Sequence, residues 1–268
     1  MSKFKRNERI GGIVKILSDS PNKVFTLSYF TEKFNAAKST ISEDLVIVKK
    51  MMEEMNLGIV ETISGAAGGV KYLPFVSKEE KKVFLEGLCQ KILKEQREIP
   101  GGFLYLSDVL YNPEVVAKVG GIFAQEFGSK YVDYVVTIET KGIPLALMTA
   151  RSLNVPLVII RDENKVTEGS TVSMNYVSGS TGKLKTMYLS KRAIKPESRV
   201  LIVDDFMKGG GTAKGMTDLV KEFDSEVVGL GFFIDQLSEK EKMISDYVSL
   251  LTCENVDGKL VIKPTMEK

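Results

Sequence analysis

RVLIVDDFMKGGGTAKG, residues 199–215, is the stretch whose reading decides the fold. Val200-Leu201-Ile202-Val203 is an unbroken apolar run, the pattern of a strand buried on both faces. Two carboxylates follow at once, Asp204 and Asp205, then Phe206, Met207 and Lys208, three glycines (Gly209, Gly210, Gly211) and Thr212. From Thr212 to Phe223 the apolar residues Met216, Leu219, Val220 and Phe223 fall at helical spacing. The order is therefore strand, acid pair, glycine-rich loop, helix N-terminus. Glycines let the backbone come close to a ligand, and free N–H groups at a helix start favour phosphate. An acid pair on the strand tip would repel phosphate, so it suits ribose hydroxyls or a hydrated Mg²⁺. The order matches neither a Walker loop nor G-x-G-x-x-G with its distant ribose-binding acid. The plain alternative is an ordinary strand–loop–helix turn, for which two acids, three glycines and a threonine are poor material.

Working outward, strands alternate with helices. A strand is expected over 132–138, a loop at Glu139-Thr140-Lys141-Gly142, a helix over 143–153 and a strand over 156–160. Further strands are expected over 227–234 and 247–251. This alternation implies a parallel sheet covered on both faces, with ligands at the carboxyl ends of its strands. Both loops, Glu139–Gly142 and Asp204–Thr212, lie at such ends, which puts two candidate phosphate loops on one rim. Taken alone, Thr140–Gly142 also reads as an ordinary strand–helix turn. Residues 161–193 form a long polar excursion in which 172–177 and 184–189 can pair as a hairpin, the kind of mobile segment that closes over a ligand.

The amino-terminal part has another character. Helices are expected over 7–18, from a cap at Ser28 through Phe34, and from Ser39 to about Met55, with a capping box at Thr40 and Glu43. Ile41, Leu45, Val48 and Met52 would face inward. Two strands, 58–63 and 70–73, flank the small tip Ser64–Gly69. Three helices and a hairpin form the winged helix-turn-helix layout, whose third helix enters a DNA major groove. Lys38, Ser39, Thr40 and Ser42 on that helix suit phosphates and base edges. Lys3, Lys5, Arg6 and Arg9 form a basic arm, and Gly68 and Gly69 would present main-chain N–H groups at the wing. The alternative is a small domain for protein contacts, and Glu43 and Asp44 are unwelcome beside DNA. A helix over 77–98, with Val83, Phe84, Leu88, Ile92 and Leu93 as its apolar stripe, would connect the parts and could join a dimer seam.

Composition narrows the function. The chain has 268 residues, enough for two domains, set here at 1–74 and 75–268. Its first fifty residues hold ten Lys/Arg against five Asp/Glu, although the whole chain is only +2, and a basic end hints at an anionic partner such as nucleic acid. No run of about 18 apolar residues suggests a membrane span, and the start MSKFKRNERIGG has no apolar signal core. Cys89 and Cys253 fall in unrelated segments and read as reduced, cytoplasmic residues. The absence of histidine removes Ser-His-Asp and Cys-His nucleophile systems, histidine acid–base work and the usual zinc sites.

Residues 200–212 resemble the phosphoribosyl pyrophosphate (PRPP) signature of type I phosphoribosyltransferases. With AKSTISEDL (37–45), GAAGGVKY (65–72), TKGIPLA (140–146), NKVTEGSTVSMNYVSGS (164–180) and VDDFMKGGGTAKGM (203–216), the chain is similar to the purine operon repressors of Gram-positive bacteria. The resemblance implies an α/β chain: a winged helix-turn-helix domain followed by a phosphoribosyltransferase-type parallel-sheet domain. It also implies a homodimeric repressor of purine genes that has lost transferase activity and keeps the old active site for PRPP. No catalytic residue and no required cofactor is then expected. The effector site would comprise Thr140, Lys141, Gly142, Asp204, Asp205, Phe206, Met207, Lys208, Gly209, Gly210, Gly211 and Thr212. Asp204 and Asp205 would hold ribose hydroxyls directly or through Mg²⁺. Glu139 and Gly209 depart from the family pattern, and Glu139 puts an acid beside the pyrophosphate. The competing reading is an active purine phosphoribosyltransferase. Against it, Lys208 and Gly209 stand where active members carry Thr or Ser, and the tail from Thr252 has no aromatic to stack a base.

Overall fold

The structure, a computed structural model, describes residues 4–65, 68–94, 97–99, 103–178, 182–237 and 241–265. The chain divides into two compact units, Met1–Ser77 with Arg151–Asn154, and Lys78–Ala150 with Val155–Lys268.

The first unit contains α1 (Arg6–Asp19), α2 (Leu27–Phe34), α3 (Lys38–Glu54), β1 (Ile59–Ile63) and β2 (Gly69–Leu73). This is the winged-helix layout. The strands pair antiparallel from Ile59–Leu73 to Ile63–Gly69, and Phe25 adds an isolated bridge to Val70. Ile41, Leu45, Val48 and Met52 face inward as their spacing predicts, against Ile13, Leu17, Phe30, Phe34 and Val60. Two caps differ from expectation. The Thr26 hydroxyl, not Ser28, caps α2 by accepting from the Tyr29 amide at 3.2 Å. The Thr40–Glu43 capping box does not form, because α3 already begins after Ala37 and leaves Thr40 inside its first turn. Asn35, in the left-handed region, ends α2 so abruptly that only three residues separate α2 from α3.

The second unit opens with α4 (Lys78–Leu93), β3 (Glu98–Ile99), β4 (Phe103–Leu104), α5 (Ser107–Leu110) and α6 (Pro113–Phe127). Then follow β5 (Tyr134–Ile138), α7 (Ile143–Leu153), β6 (Leu157–Ile160), β7 (Thr171–Val177), β8 (Leu184–Ser190), β9 (Arg199–Met207), α8 (Gly211–Lys221), β10 (Glu226–Gln236), β11 (Val248–Val256) and β12 (Lys259–Pro264). Six strands form one sheet in the order β12-β11-β10-β9-β5-β6, parallel throughout except for β12. Val200 to Val203 are fully buried at its centre, as an unbroken apolar run requires.

Two expectations change here, and a third is met. Helix α4 ends at Leu93, and its buried face is Leu85, Leu88, Cys89 and Ile92; Val83 and Leu93 stay exposed because the side packed on β11 and β12 lies elsewhere. The last strand is β12, joined to β11 by Asp257-Gly258, both at positive φ, a two-residue hairpin turn that the Asp-Gly pair signals. The hairpin expected in the polar excursion forms: β7 and β8 pair from Thr171–Ser190 to Val177–Leu184, and Tyr176, Met187 and Leu189 enter the main core beside α8. Among the described residues no helix is long and apolar enough to cross a membrane.

Candidate functional site

Strands β5 and β9 lie side by side and parallel, with Val136 opposite Ile202, so the loops that follow them emerge on one rim. Between those loops is a cavity of about 450 Å³, within the range of small-molecule sites. Thr140, Lys141, Asp204, Asp205, Phe206, Met207, Lys208, Gly209, Gly210 and Thr212 line it. Gly142 and Gly211 do not. Gly142 lies beneath the rim, and a Cβ there would collide with the Asp204 carboxylate and the Thr137 hydroxyl. Gly211 is the buried first residue of α8. Gly210 adopts φ 80°, a left-handed conformation suited to glycine, and turns the chain from β9 into the N-terminus of α8. The Glu139–Thr140 peptide is cis.

The electrostatics divide the site in two. Asp204 is buried and accepts hydrogen bonds from the Asp205 amide at 3.0 Å and the Thr137 hydroxyl at 3.5 Å. Burial, with the Asp205 carboxylate beside it, pushes Asp204 well above the ordinary carboxylate range. Burial also raises Asp205, opposed by its hydrogen bond with Asp204 and by the Lys141 charge. Glu139 behaves in the opposite way. Burial works to raise it, but hydrogen bonds from Asp162 and Arg161, with the charge of Lys165, hold it down to about 2. Arg161 lies 3.1 Å and Lys165 3.5 Å from its carboxylate, and the Asp162 amide donates at 3.0 Å. The acid that seemed misplaced beside a pyrophosphate loop is thus matched by two cations from the segment after β6. Its presence pushes the neighbouring Asp162 carboxyl up.

Sequence reasoning missed part of the lining. Asp162, Tyr176, Ser178 and Lys185 come from the excursion after β6, and Leu104, Leu106 and Phe232 supply apolar wall. The only signal in the sequence was the polar length of residues 161–193; which side chains turn inward depends on the register of β7 on β8.

The first unit presents a second candidate surface. Lys5, Lys38 and Ser39 are exposed, and Thr40 and Ser42 are half-buried. The Ser42 hydroxyl donates to the Lys38 carbonyl at 3.0 Å. Arg6 is half-exposed, 3.4 Å from Asp44 and 3.8 Å from Glu43. Lys3 lies outside the described residues. Two of the expected DNA contacts are corrected. Arg9 is buried, donating through Nε to Asp44 Oδ2 at 2.6 Å and through Nη1 to the Phe4 carbonyl at 2.8 Å, so it is committed to the interior. Gly69 is a buried β2 residue pressed against the Phe25 carbonyl, not part of an exposed tip. Gly68 is half-buried in a tight turn, its amide donating to the Gly65 carbonyl at 2.9 Å. Asp44, unwelcome beside DNA, points into the unit.

Comparisons with known proteins agree with both units. A family model described as "Bacterial purine repressor, N-terminal" matches residues 5–74, and one described as "Phosphoribosyl transferase domain" matches residues 106–265. The chain is 46% identical over 257 residues to the purine biosynthesis transcriptional repressor of Bacillus subtilis (strain 168), covering 96% of this chain and 90% of that one. It is 43% identical over 254 residues to the purine biosynthesis transcriptional activator of Lactococcus lactis subsp. lactis (strain IL1403), covering 95% and 94%. Among solved structures, adenine phosphoribosyltransferase of Thermoanaerobacter pseudethanolicus aligns with a TM-score of 0.55 at 23% identity, over 63% of this chain and 99% of that one, a likeness of fold. The chain belongs to the family of purine biosynthesis transcriptional regulators, in which a bacterial purine repressor N-terminal domain precedes a phosphoribosyl transferase domain.

Proposed function

We propose that this regulator binds operator DNA of purine biosynthesis genes as a homodimer, and that PRPP occupies the cavity as an effector, not as a substrate. One observation carries the reading: an acid pair and a glycine turn at a helix start face one cavity in a chain that also carries a repressor-type N-terminal unit. The start of α8, with Gly209, Gly210 and Thr212, suits the 5-phosphate. Asp204 and Asp205 suit the ribose hydroxyls, and Lys141 and Lys208 suit the pyrophosphate. Among the described residues no group of three or more acids, cysteines or histidines could hold a metal. Mg²⁺ would enter with the pyrophosphate oxygens, on Asp204 or Asp205.

Lys5, Arg6, Lys38, Ser39, Thr40 and Ser42 are the proposed DNA contacts. A ligand shifts DNA affinity only by binding the free and DNA-bound states differently. PRPP is strongly anionic and competes for the same positive field, so it should lower operator affinity. The test is fluorescence anisotropy of upstream DNA from purine genes, titrated with and without PRPP. Asp205→Ala and Lys141→Ala should bind the DNA as before and ignore PRPP. An unchanged PRPP response in both would move the effector elsewhere. Pyrophosphate release from PRPP with any purine base would support the competing enzyme reading.

A further inference from the structure

On α3 the buried stripe of Ile41, Leu45, Val48 and Met52 fixes which side faces outward. On the outward side lies Val46, 68% exposed, with Ile47 beside it, 38% exposed, and Glu43 one turn before it, its side chain 71% exposed. Ser39 lies two turns before Val46, and Lys49 and Lys50 lie one turn after it, all exposed. Exposed apolar side chains on a charged surface are ordinary in themselves. What sets Val46 apart is its place, an apolar group between hydroxyls and lysines on the helix that a winged helix-turn-helix unit inserts into the major groove. Lys49 and Lys50 suit a phosphate-lined groove, and Glu43 on the same side is paired with Arg6 at 3.8 Å. The apolar group in the floor of that groove is the 5-methyl of thymine, which marks A·T pairs and takes apolar contacts.

We infer that Val46 is a specificity-determining residue that reads a thymine methyl in the operator. The inference rests on the DNA-binding reading of the first unit, and the experiment separates the two. The full-length protein selects a duplex from a randomised library, and that duplex is resynthesised with deoxyuridine in place of each thymine in turn. At the contacted position the wild type should lose about fourfold in affinity, the worth of one buried methyl group. Val46→Ala should bind the parent duplex more weakly by a similar factor, show no further loss at that position, and keep its salt slope, since no charge has changed. If wild type and Val46→Ala give the same deoxyuridine profile, the inference is overturned while DNA binding stands. If Val46→Ala instead changes the association state of the DNA-free protein, a second copy covers this face and the inference is again overturned. If the wild type enriches no sequence over random duplex, sequence-specific DNA binding itself fails and takes the inference with it.

Discussion

Arg9 and Asp44 form a buried bidentate ion pair that ties the start of α1 to α3, with Nε to Oδ2 at 2.6 Å and Nη2 to Oδ1 at 3.3 Å. Removing one partner of such a pair leaves an uncompensated buried charge, which costs about 3–5 kcal/mol. Asp44→Ala should destabilise the first unit by that order, and Arg9→Ala by less because Arg6 stays 3.4 Å from Asp44; both are read as a lowered midpoint in urea. A change under about 1 kcal/mol in either would mean that the pair is solvated.

Arg6 sits beside the same carboxylate but remains half-exposed. Its replacement by Ala should cost little stability. If it touches a phosphate, the slope of log affinity against log salt should fall by about 1. An unaltered slope takes Arg6 out of the interface. The contrast with Arg9, where stability and not the slope should move, distinguishes the two arginines.

Asp204 titrates above the ordinary range because its charge is buried beside that of Asp205. The sign follows: a raised folded-state pKa favours folding at low pH, and that contribution is lost as pH rises from the ordinary carboxylate value through the raised one. At neutral pH the group therefore destabilises the ligand-free protein. Asp204→Asn keeps an Oδ1 to accept from Thr137 and the Asp205 amide, so it should melt higher; a gain of about 1 kcal/mol reads as roughly 2–4 °C in a domain of this size. The same variant should respond less to PRPP. A lower melting temperature would contradict the burial argument.

Glu139 is the reverse case. Its carboxyl is held down to about 2 by Asp162, Arg161 and Lys165. A depressed folded-state pKa contributes stability that is present above the ordinary carboxylate value and lost as pH falls toward 2. Glu139→Gln should lose stability at neutral pH and show a flatter acid limb in a stability–pH profile. It also releases Lys165 and leaves Arg161 held only by Glu168, 3.0 Å from its Nε, so anion affinity in the cavity should rise. A profile superimposable on the wild type would show that the cluster is not coupled to folding.

Gly142 is close-packed against Asp204, so Gly142→Ala must displace the carboxylate or the loop. The PRPP response should be lost while DNA binding persists. Gly69→Val is expected to fail differently: it drives into the Phe25 carbonyl and should unfold the wing, lowering the melting temperature before any effect on DNA can be read.

Much of this was legible in the linear chain, because local periodicity and turn chemistry are local properties. The apolar run 200–203, the acid pair and the glycines foretold strand, rim and helix start, and the stripe Ile41, Leu45, Val48, Met52 foretold the inward face of α3. The absence of histidine removed whole classes of chemistry without any structure. The fates of individual polar residues were not legible. Arg6 and Arg9 are alike in sequence, yet one turn geometry leaves the first half-exposed and buries the second on Asp44, thirty-five residues away. Glu139 read as a clash with an anion until Arg161 and Lys165 were brought to it across β6. Gly142 and Gly69 read as ligand contacts, whereas both are glycines because another backbone or carboxylate occupies the place of a side chain. Sequence alone determined which elements form and in what order, since those follow from neighbours along the chain. Only tertiary structure decided which charges are paired, which glycines are packing sites and which side chains of the β7–β8 hairpin reach the cavity, because each depends on a partner distant in sequence and on the register that delivers it.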